Sequence, residues 1–257
     1  MFVSFSRLVC VLALWTSFAA RAAEVPVAFE SFQSGGRRIG LDHFQPADGK
    51  SRATLLVLHG AGGTLLDGPE MRRVARSLAE AGNDVFLVHY FNRTGNLFAR
   101  DATMQRNFET WLNTVRDAVS FAETRSGTGR PIGIYGYSLG AFLAVAAASD
   151  NPQVGAVVEQ AGGVWNNQTK RIGRMPPLLV MHGRIDTRVP FEKYAAPLLK
   201  VLRERGGPVE TRFFAQEGHG FSPAAMKEGK SVAAEFFSRR VGAAIKEPVK
   251  RKEDAGR

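Results

Sequence analysis

Residues 136–140, Gly-Tyr-Ser-Leu-Gly, place a serine between two different secondary structures. The apolar run 131–136 predicts a buried strand, and the run of helix formers at 141–148 predicts a helix. A chain that turns directly from strand to helix strains its central residue, and glycines on both sides remove side chains that would collide. Ser138 is therefore expected at the N-terminus of a helix, where the helix dipole favours negative charge.

Two later segments supply the partners that a nucleophilic serine needs. Residues 182–186 are His-Gly-Arg-Ile-Asp, and residues 218–221 are Gly-His-Gly-Phe. The order serine, acid, histidine predicts Ser138 as nucleophile, Asp186 as acid and His219 as base. The imidazole takes the hydroxyl proton and later gives it to the leaving group, while the carboxylate fixes the tautomer of the imidazole. The chain is thus predicted to be a serine hydrolase.

Other residues compete for two of these roles. Of the five histidines, only His219 follows both Ser138 and Asp186, in a glycine-flanked loop after an apolar run; the others are His43, His59, His89 and His182. Asp186 has an alternative role as N-cap of the helix that follows Pro190. The runner-up acid is Glu159, at the end of the strand predicted over 154–158. Glu159 could instead line the pocket or pair with an arginine.

A glycine-rich loop follows an earlier apolar run and is expected to supply oxyanion donors. Residues 59–63 are His-Gly-Ala-Gly-Gly, so their backbone amides can approach a ligand closely. We predict the Ala61 amide as the first donor from this loop, Gly62 as the second choice, and the Leu139 amide as the donor beside Ser138. A phosphate-binding loop is the competing interpretation, but the Gly-Lys-Ser/Thr ending is missing.

Strand and helix patterns alternate along the chain and predict an α/β fold. A hairpin is expected over 27–33 and 38–45, joined at the sequence Ser-Gly-Gly-Arg. Further strands are predicted near 53–58, 84–90, 131–136, 154–160, 177–182 and 209–215. Helices are predicted near 69–81, 105–125, 139–149, 192–205 and 223–244. This alternation indicates a doubly wound, mostly parallel sheet with an antiparallel N-terminal hairpin and the site at the strand C-terminal ends.

The motifs together resemble the dienelactone hydrolase family of α/β-hydrolases. The resemblance rests on 59–63, 136–140, Asp186 with the following Val-Pro, and 218–221, and it spans about 29–241. Residues 89–95 also resemble a stretch of exported members. One departure is Ser138, because dienelactone hydrolases proper use a cysteine nucleophile. The resemblance implies the α/β-hydrolase fold and hydrolysis of an ester, lactone or thioester without a cofactor, and it leaves the substrate open.

The segment after the predicted strand 154–160 limits the substrate. Only about sixteen residues separate Gln160 from Pro176, too few for a helical lid, so the site is expected to be open. Trp165 in this segment and Tyr137 beside the nucleophile are predicted to wall a small acyl pocket, with packing of Trp165 on the sheet as the alternative. Arg93 is predicted either to meet a substrate carboxylate or to form a salt bridge within its loop.

Charge and metal-ligand patterns constrain the partners. The formal net charge is +10, with basic residues concentrated at the end of the chain. Residues 246–257 predict a basic, solvated tail, with weak contact to an anionic cell envelope as the sharper alternative. Neither a nucleic-acid-binding motif nor a cluster with metal-ligand spacing is recognisable in the sequence, so we predict no metal, no cofactor and no nucleic acid partner. The oligomeric state is left open.

The N-terminal segment predicts export. Arg7 precedes the apolar run 8–20, and Ala20-Arg21-Ala22 matches a small-x-small cleavage site. The run is too short for a membrane-spanning helix. We therefore expect a signal peptide over 1–22 and a hydrolase domain over 23–245, in the periplasm or outside the cell. Cys10, the sole cysteine, lies inside the signal peptide, so the mature chain is expected to have no disulfide and no thiol nucleophile.

Two other function classes share these features. An acyltransferase would use the same triad with an alcohol acceptor in place of water, and the predicted open site argues mildly against it. A catalytically silent envelope-binding protein would keep the fold and lose a triad member. Since all three members are present in the sequence, hydrolysis of a small ester is the leading interpretation.

The first testable expectation concerns processing. Expressed with its own N-terminus in a bacterial host, the chain should be cleaved near Ala22 and recovered outside the cytoplasm, because the apolar run and the cleavage pattern fit the export machinery. N-terminal sequencing and cell fractionation measure this. A control that lacks residues 8–20 should stay in the cytoplasm. Recovery of an intact chain starting at Met1 in the cytoplasm would contradict the expectation.

Overall fold

The computed structural model describes residues 24–127 and 129–241, which contain an eight-stranded mixed sheet. The strands follow the order β1-β2-β4-β3-β5-β6-β7-β8 across the sheet. Their bounds are β1 Val27–Ser34, β2 Arg37–Phe44, β3 Thr54–Leu58, β4 Asp84–Val88, β5 Ile132–Tyr137, β6 Val154–Gln160, β7 Leu178–Gly183 and β8 Val209–Phe214. β1 pairs with β2, and β2 with β4, in antiparallel fashion, and all other neighbours are parallel. The predicted mostly parallel sheet with an antiparallel hairpin is confirmed.

The part of the chain that the structure describes contains six helices, which come after strands in chain order. They are α1 Gly63–Leu66, α2 Gly68–Glu80, α3 Asp101–Ser126, α4 Leu139–Ala148, α5 Phe191–Glu204 and α6 Pro223–Arg240. Short 3₁₀ segments lie at Tyr90–Arg93 and Asn166–Arg171. Residues of α3, α4 and α5 contribute to one core and residues of α2 and α6 to the other. The sheet is therefore covered by helices on both faces.

The alternation of side chains along each strand divides the core into these two halves. Leu56 and Leu58 of β3 face the core of α3, α4 and α5, whereas Leu55 and Val57 face the core of α2 and α6. All five residues of β3 are buried. Burial on both faces explains why the central strands appear in the sequence as continuous apolar runs, the pattern expected for parallel sheets covered by helices.

Helix α4 leads away from Ser138 and is enclosed almost completely by the protein. Nine of its ten residues are buried, and it packs against β5, β6 and α3. A helix that is apolar on all sides belongs in a protein interior. This enclosure anchors the helix N-terminus at one place on the carboxyl edge of the sheet.

The structure contains short elements that the sequence did not predict. α1 and the two 3₁₀ segments are single turns or little more, and such segments are too short to show helical periodicity. α3 also begins at Asp101 rather than near 105. The polar first turn of α3 carries no apolar pattern, which explains the later predicted start.

Two predicted segments lie outside the described residues: the signal peptide over 1–22 and the basic tail over 246–257. The same holds for the last residues of the domain predicted over 23–245. Within 24–127 and 129–241, no helix combines the length and apolar character needed to cross a membrane.

His43 joins the N-terminal hairpin to the rest of the sheet. It is 1% exposed, stacks on Phe86 with ring centroids 4.3 Å apart, and lies 2.6 Å from both Glu30 and Asp84. Burial lowers the pKa of His43, but the two carboxylates outweigh this and raise the pKa above its ordinary value. His43 therefore links β1, β2 and β4 through two buried or half-buried carboxyl contacts.

This link should make stability depend on pH. A raised folded-state pKa contributes stability that is complete below the unfolded pKa of about 6.5 and is lost as pH rises through the folded pKa. We expect Tm to fall as pH rises above about 6.5, by roughly 2–4 °C for each kcal/mol lost, and His43→Gln to flatten that slope. Calorimetry measures both. Equal slopes in the two proteins would contradict this role of His43.

Candidate active site

Ser138 occupies the strained turn between β5 and α4. Its φ is 53° and its ψ is −119°, a region that residues with side chains rarely adopt. A side chain at position 136 would overlap the Gly140 carbonyl, and a Cβ at Gly140 would lie 2.5 Å from the carbonyls of Leu58 and His59. Glycines at 136 and 140 thus allow α4 to pack directly against the end of β3.

Neighbouring backbone groups hold the serine in place. The Ser138 amide donates to the Gln160 carbonyl at the end of β6 (2.9 Å), and the Ser138 carbonyl accepts from the Ala141 amide (2.9 Å). Leu139 is the first residue of α4, so its amide is one of the helix-start donors without an intrahelical acceptor. The dipole of α4 therefore adds positive potential beside the serine hydroxyl.

His219 lies in a loop that connects β8 to α6 and is braced at both ends. Glu217 accepts hydrogen bonds from the Ser222 amide (2.7 Å) and hydroxyl (2.6 Å), and these bonds lower the pKa of Glu217. The Glu217 carbonyl accepts from the Ile185 amide in the loop after β7 (3.2 Å). These contacts tie the histidine loop to the loop that carries Asp186.

Ser138, His219 and Asp186 form a continuous hydrogen-bonded chain. His219 Nε2 lies 2.9 Å from Ser138 Oγ, and His219 Nδ1 lies 2.9 Å from Asp186 Oδ2. Asp186 Oδ1 accepts from the amides of Arg188 (2.9 Å) and Val189 (2.8 Å), which fixes the carboxylate. Because a carboxylate only accepts, Nδ1 donates to it and the serine hydroxyl donates to Nε2. The structure brings the three predicted residues together in the order that general-base catalysis requires.

The remaining histidines bond elsewhere. His59 is buried, its Nδ1 bonds the Gly60 carbonyl (2.8 Å), and burial lowers its pKa to about 3. His182 is also buried, its Nε2 bonds the Val189 carbonyl (2.9 Å), and burial lowers its pKa. His89 Nε2 lies 3.2 Å from Asp42, and His43 belongs to the hairpin cluster. Among the described histidines, His219 is the one within hydrogen-bond distance of Ser138.

Glu159, the runner-up acid, is fully buried behind the serine. One of its oxygens accepts from the Gly162 amide, and the other has no hydrogen-bond partner among the described residues. Burial raises the pKa of Glu159 to about 8, although the Gly162 bond acts against this. The carboxyl group therefore supports the loop after β6, and Asp186 is the acid in contact with His219.

The predicted oxyanion donors differ in what their amides contact. Ala61 and Leu139 line the same cavity as Ser138. The Ala61 carbonyl accepts from Ala99 (2.8 Å), while its amide makes no hydrogen bond to another described residue. The Gly62 amide instead donates to Asp67 Oδ2 (2.9 Å). Gly62 as second-choice donor is therefore corrected, because its amide is already bonded to a carboxylate.

A cavity of about 120 Å³ opens beside Ser138. Its lining comes from α3, α4, α5, the turn at Ser138 and the loops after β3, β6 and β7. The lining residues are Ala61, Asp101, Met104, Gln105, Ser138, Leu139, Phe142, Trp165, Arg188, Val189 and Tyr194. His219 does not line this cavity. A leaving group must lie beside His219 to receive its proton, so this cavity fits the acyl part of a substrate. Gln105, Trp165 and Tyr194 line both this cavity and a neighbouring wider groove of about 690 Å³.

Trp165 lies where the sequence predicted a pocket wall. Its ring stacks on Phe142 at 4.8 Å and meets Phe108 edge-on at 4.6 Å. Those partners belong to α4 and α3, so Trp165 packs on helices rather than on the sheet. Sequence reasoning did not identify Phe142 or Tyr194, since an apolar residue in a buried helix gives no sign that one of its faces borders a cavity.

Tyr137 and Arg93 lie elsewhere than predicted. The Tyr137 hydroxyl donates to the His219 carbonyl (3.4 Å), and its ring packs beside the imidazole, so it supports the histidine loop instead of lining the cavity. The Arg93 guanidinium donates to the Gly35 carbonyl in the β1–β2 turn and does not line the cavity. Its partner is a backbone carbonyl, so neither the substrate carboxylate nor the loop salt bridge is its contact.

Comparison with known proteins identifies the family. The model of the dienelactone hydrolase family matches residues 43–246 of this chain. The chain belongs to the dienelactone hydrolase family. It is accordingly a hydrolase of the class that acts on esters. No curated protein sequence matches the chain.

Solved structures with the same fold include members of this family. A dienelactone hydrolase from Anabaena variabilis is 19% identical with a TM-score of 0.65, and the match covers 85% of this chain and 99% of that one. A dienelactone hydrolase-like promiscuous phosphotriesterase from metagenomic libraries is 17% identical with a TM-score of 0.71, covering 84% and 99%. An acylaminoacyl peptidase from Pyrococcus horikoshii is 17% identical with a TM-score of 0.68, covering 85% of this chain and 42% of that one. The α/β-hydrolase fold is thereby confirmed.

The hydrogen-bonded chain generates a prediction for this dienelactone hydrolase family member. Ser138→Ala and His219→Ala should each lower kcat by about 10⁴-fold or more, and the double variant should be little worse, because the residues act as a unit. Asp186→Asn should cost less than either, and Glu159→Gln less again, since Glu159 does not contact the imidazole. Steady-state kinetics on a nitrophenyl ester measure this. Loss of turnover in Glu159→Gln with full activity in Asp186→Asn would move the acid to β6.

Proposed function

We propose that this protein is a serine esterase that cleaves small carboxylic esters, lactones or thioesters through an acyl-enzyme. The observation that carries the proposal is the chain of hydrogen bonds from Ser138 through His219 to Asp186, beside the amides of Leu139 and Ala61. Nucleophile, base, orienting acid and oxyanion donors thus meet at one end of the sheet. No additional group is needed for attack on an acyl carbon.

In the first half-reaction, Ser138 Oγ attacks the acyl carbon while its proton passes to His219 Nε2. The negative charge moves to the carbonyl oxygen, which the amides of Leu139 and Ala61 stabilise. Asp186 stabilises the imidazolium that forms. His219 then returns the proton to the leaving alcohol or thiol as the bond between acyl carbon and leaving group breaks. The acyl group stays esterified to Ser138.

In the second half-reaction, water takes the place of the leaving group. His219 removes a proton from this water, whose oxygen attacks the acyl-enzyme through a second oxyanion. When that intermediate collapses, His219 gives the proton to Ser138 Oγ and the carboxylic acid leaves. An acyltransferase would use an alcohol at this step. The site supports water as acceptor because the loop between β6 and β7 contains one short 3₁₀ segment and forms no lid.

The cavity supports a short acyl group. Its volume of about 120 Å³ lies directly beside Ser138, and Trp165 and Tyr194 border both it and the wider groove. An acyl chain longer than the cavity has to displace these rings to reach the groove. Phe142 and Met104 give a short acyl chain apolar contact, beside the polar Asp101, Gln105 and Arg188. The N-terminal apolar run additionally supports export, which would place the esterase outside the cytoplasm.

A fluorophosphonate probe and an ester panel test this function. The probe should label Ser138 in the mature protein and fail to label Ser138→Ala. p-Nitrophenyl acetate or butyrate should be cleaved with higher kcat/KM than longer chains, and activity should survive EDTA, since the triad needs only water as second substrate. Labelling that persists in Ser138→Ala, or loss of turnover on chelation, would overturn the proposal. Acyl transfer to an added alcohol in excess of hydrolysis would favour the acyltransferase.

The same panel tests the role of Trp165. Trp165→Ala should make the enzyme prefer longer acyl chains, because removal of the indole ring would join the cavity to the groove of about 690 Å³. Trp165→Phe is the matched control, since it keeps an aromatic ring against Phe142 and should retain most of the short-chain preference. An unchanged preference in Trp165→Ala would show that another feature limits the acyl length.

A further inference from the structure

Asp67 lies between α1 and α2, and its side chain bonds to the loop before α1 rather than to α2. It occupies the N-cap position of α2 within the sequence Asp-Gly-Pro-Glu, which is a pattern typical of a helix N-terminus. Its side chain makes no capping hydrogen bond to α2. Asp67 Oδ2 instead accepts from the Gly62 amide, five residues earlier, at 2.9 Å. The carboxylate therefore binds the loop after β3 instead of capping α2.

The loop is shaped to receive this carboxylate. Gly60, on the other side of Ala61, lies against the same carboxylate. A Cβ added at Gly60 would lie 2.7 Å from Asp67 Oδ2, and one at Gly62 would lie 2.5 Å from Oδ1. Any side chain at these two positions would displace the carboxylate. The glycines on both sides of Ala61 thus make room for Asp67 as well as for a ligand.

Ala61 is held between these two anchored residues. Its carbonyl accepts from the Ala99 amide at 2.8 Å, the Gly62 amide bonds to Asp67, and Gly60 packs against the same carboxylate. The Ala61 amide is left without a hydrogen bond to a described residue, in a residue that lines the cavity with Ser138. Fixed donors are effective for an oxyanion because they do not reorganise during the reaction.

We propose that Asp67 is a positioning residue that fixes the loop after β3 so that the Ala61 amide points at the oxyanion site beside Ser138. This inference rests on the proposed function, since an oxyanion forms only if Ser138 attacks an acyl carbon. Asp67 acts through the backbone and touches no substrate atom in this role. Burial raises the pKa of the Asp67 carboxyl above its ordinary value, and the Gly62 bond and the nearby His219 only partly offset this.

Three variants test the role of Asp67. Asp67→Ala removes both acceptor oxygens, and Asp67→Asn keeps the shape with one acceptor oxygen. Glu70→Ala is the control, because Glu70 lies in the first turn of the same helix and pairs with the exposed Arg73. The readouts are kcat and KM for p-nitrophenyl acetate and the affinity for phenylboronic acid. The boronate forms a tetrahedral adduct on serine, so it reports on the oxyanion site directly.

Loss of a fixed donor costs about 10²–10³ in kcat, so Asp67→Ala should lower kcat by about 10–100-fold with little change in KM. Boronate affinity should fall in parallel, Asp67→Asn should be intermediate, and Glu70→Ala should match the wild type. Wild-type kcat and boronate affinity in Asp67→Ala would overturn the proposal, as would a rise in KM alone. If Asp67→Ala does not fold, the folded Asp67→Asn protein decides by the same criteria.

The failure of the proposed function is distinguishable from the failure of this inference. A wild-type protein that binds no boronate and takes no fluorophosphonate label contradicts the serine esterase, and the role of Asp67 fails with it. A labelled, active wild type whose Asp67 variants keep full kcat and boronate affinity contradicts the role of Asp67 alone.

Discussion

The strained backbone at Ser138 is the constraint on which the other parts of the site depend. A non-glycine residue with a φ of 53° costs on the order of 1–3 kcal/mol, so the surrounding structure must stabilise it. Three features do so: the almost fully buried helix α4, the close contact of Gly140 with the end of β3, and the bond from the Ser138 amide to Gln160. Because these features fix the turn against β3 and β6, the hydroxyl has one position relative to the whole sheet.

The direction of the parallel strands then determines which loops carry the other residues of the site. Strands β3, β5, β7 and β8 run in the same direction, so the loops after them meet at one edge of the sheet. The loop after β3 carries Ala61, the turn after β5 carries Ser138, and the loops after β7 and β8 carry Asp186 and His219. The chain order of the three residues in the hydrogen-bonded chain therefore follows from topology, and a motif search along the sequence could recover it.

Sequence reasoning succeeded where a residue's place is set by its own strand or turn. Buried parallel strands leave apolar runs, and the turn at 136–140 needs its glycines, so the sheet and the three clustered residues were predictable. Sequence reasoning failed where the partner of a group lies in another element of the fold. Gly62 was predicted as a donor from its glycine-rich loop, but its amide bonds the Asp67 carboxylate, and Arg93 bonds a carbonyl fifty-eight residues away. Such choices depend on packing across elements, which local patterns do not contain.

Asp186, Glu159 and Asp67 carry carboxyl groups near Ser138, and their different environments separate their roles. Asp186 accepts from two backbone amides and from the His219 imidazole. Glu159 has one donor and full burial, so its pKa of about 8 leaves it mostly protonated at neutral pH. In the proposed reaction a second buried charge behind Ser138 would oppose the oxyanion, and protonation of Glu159 would remove that charge. Asp67 is partly exposed, accepts from the Gly62 amide and lies against Gly60. One carboxylate is thus left to pair with the imidazole, while the other two carboxyl groups shape the loops that hold the serine and its donors.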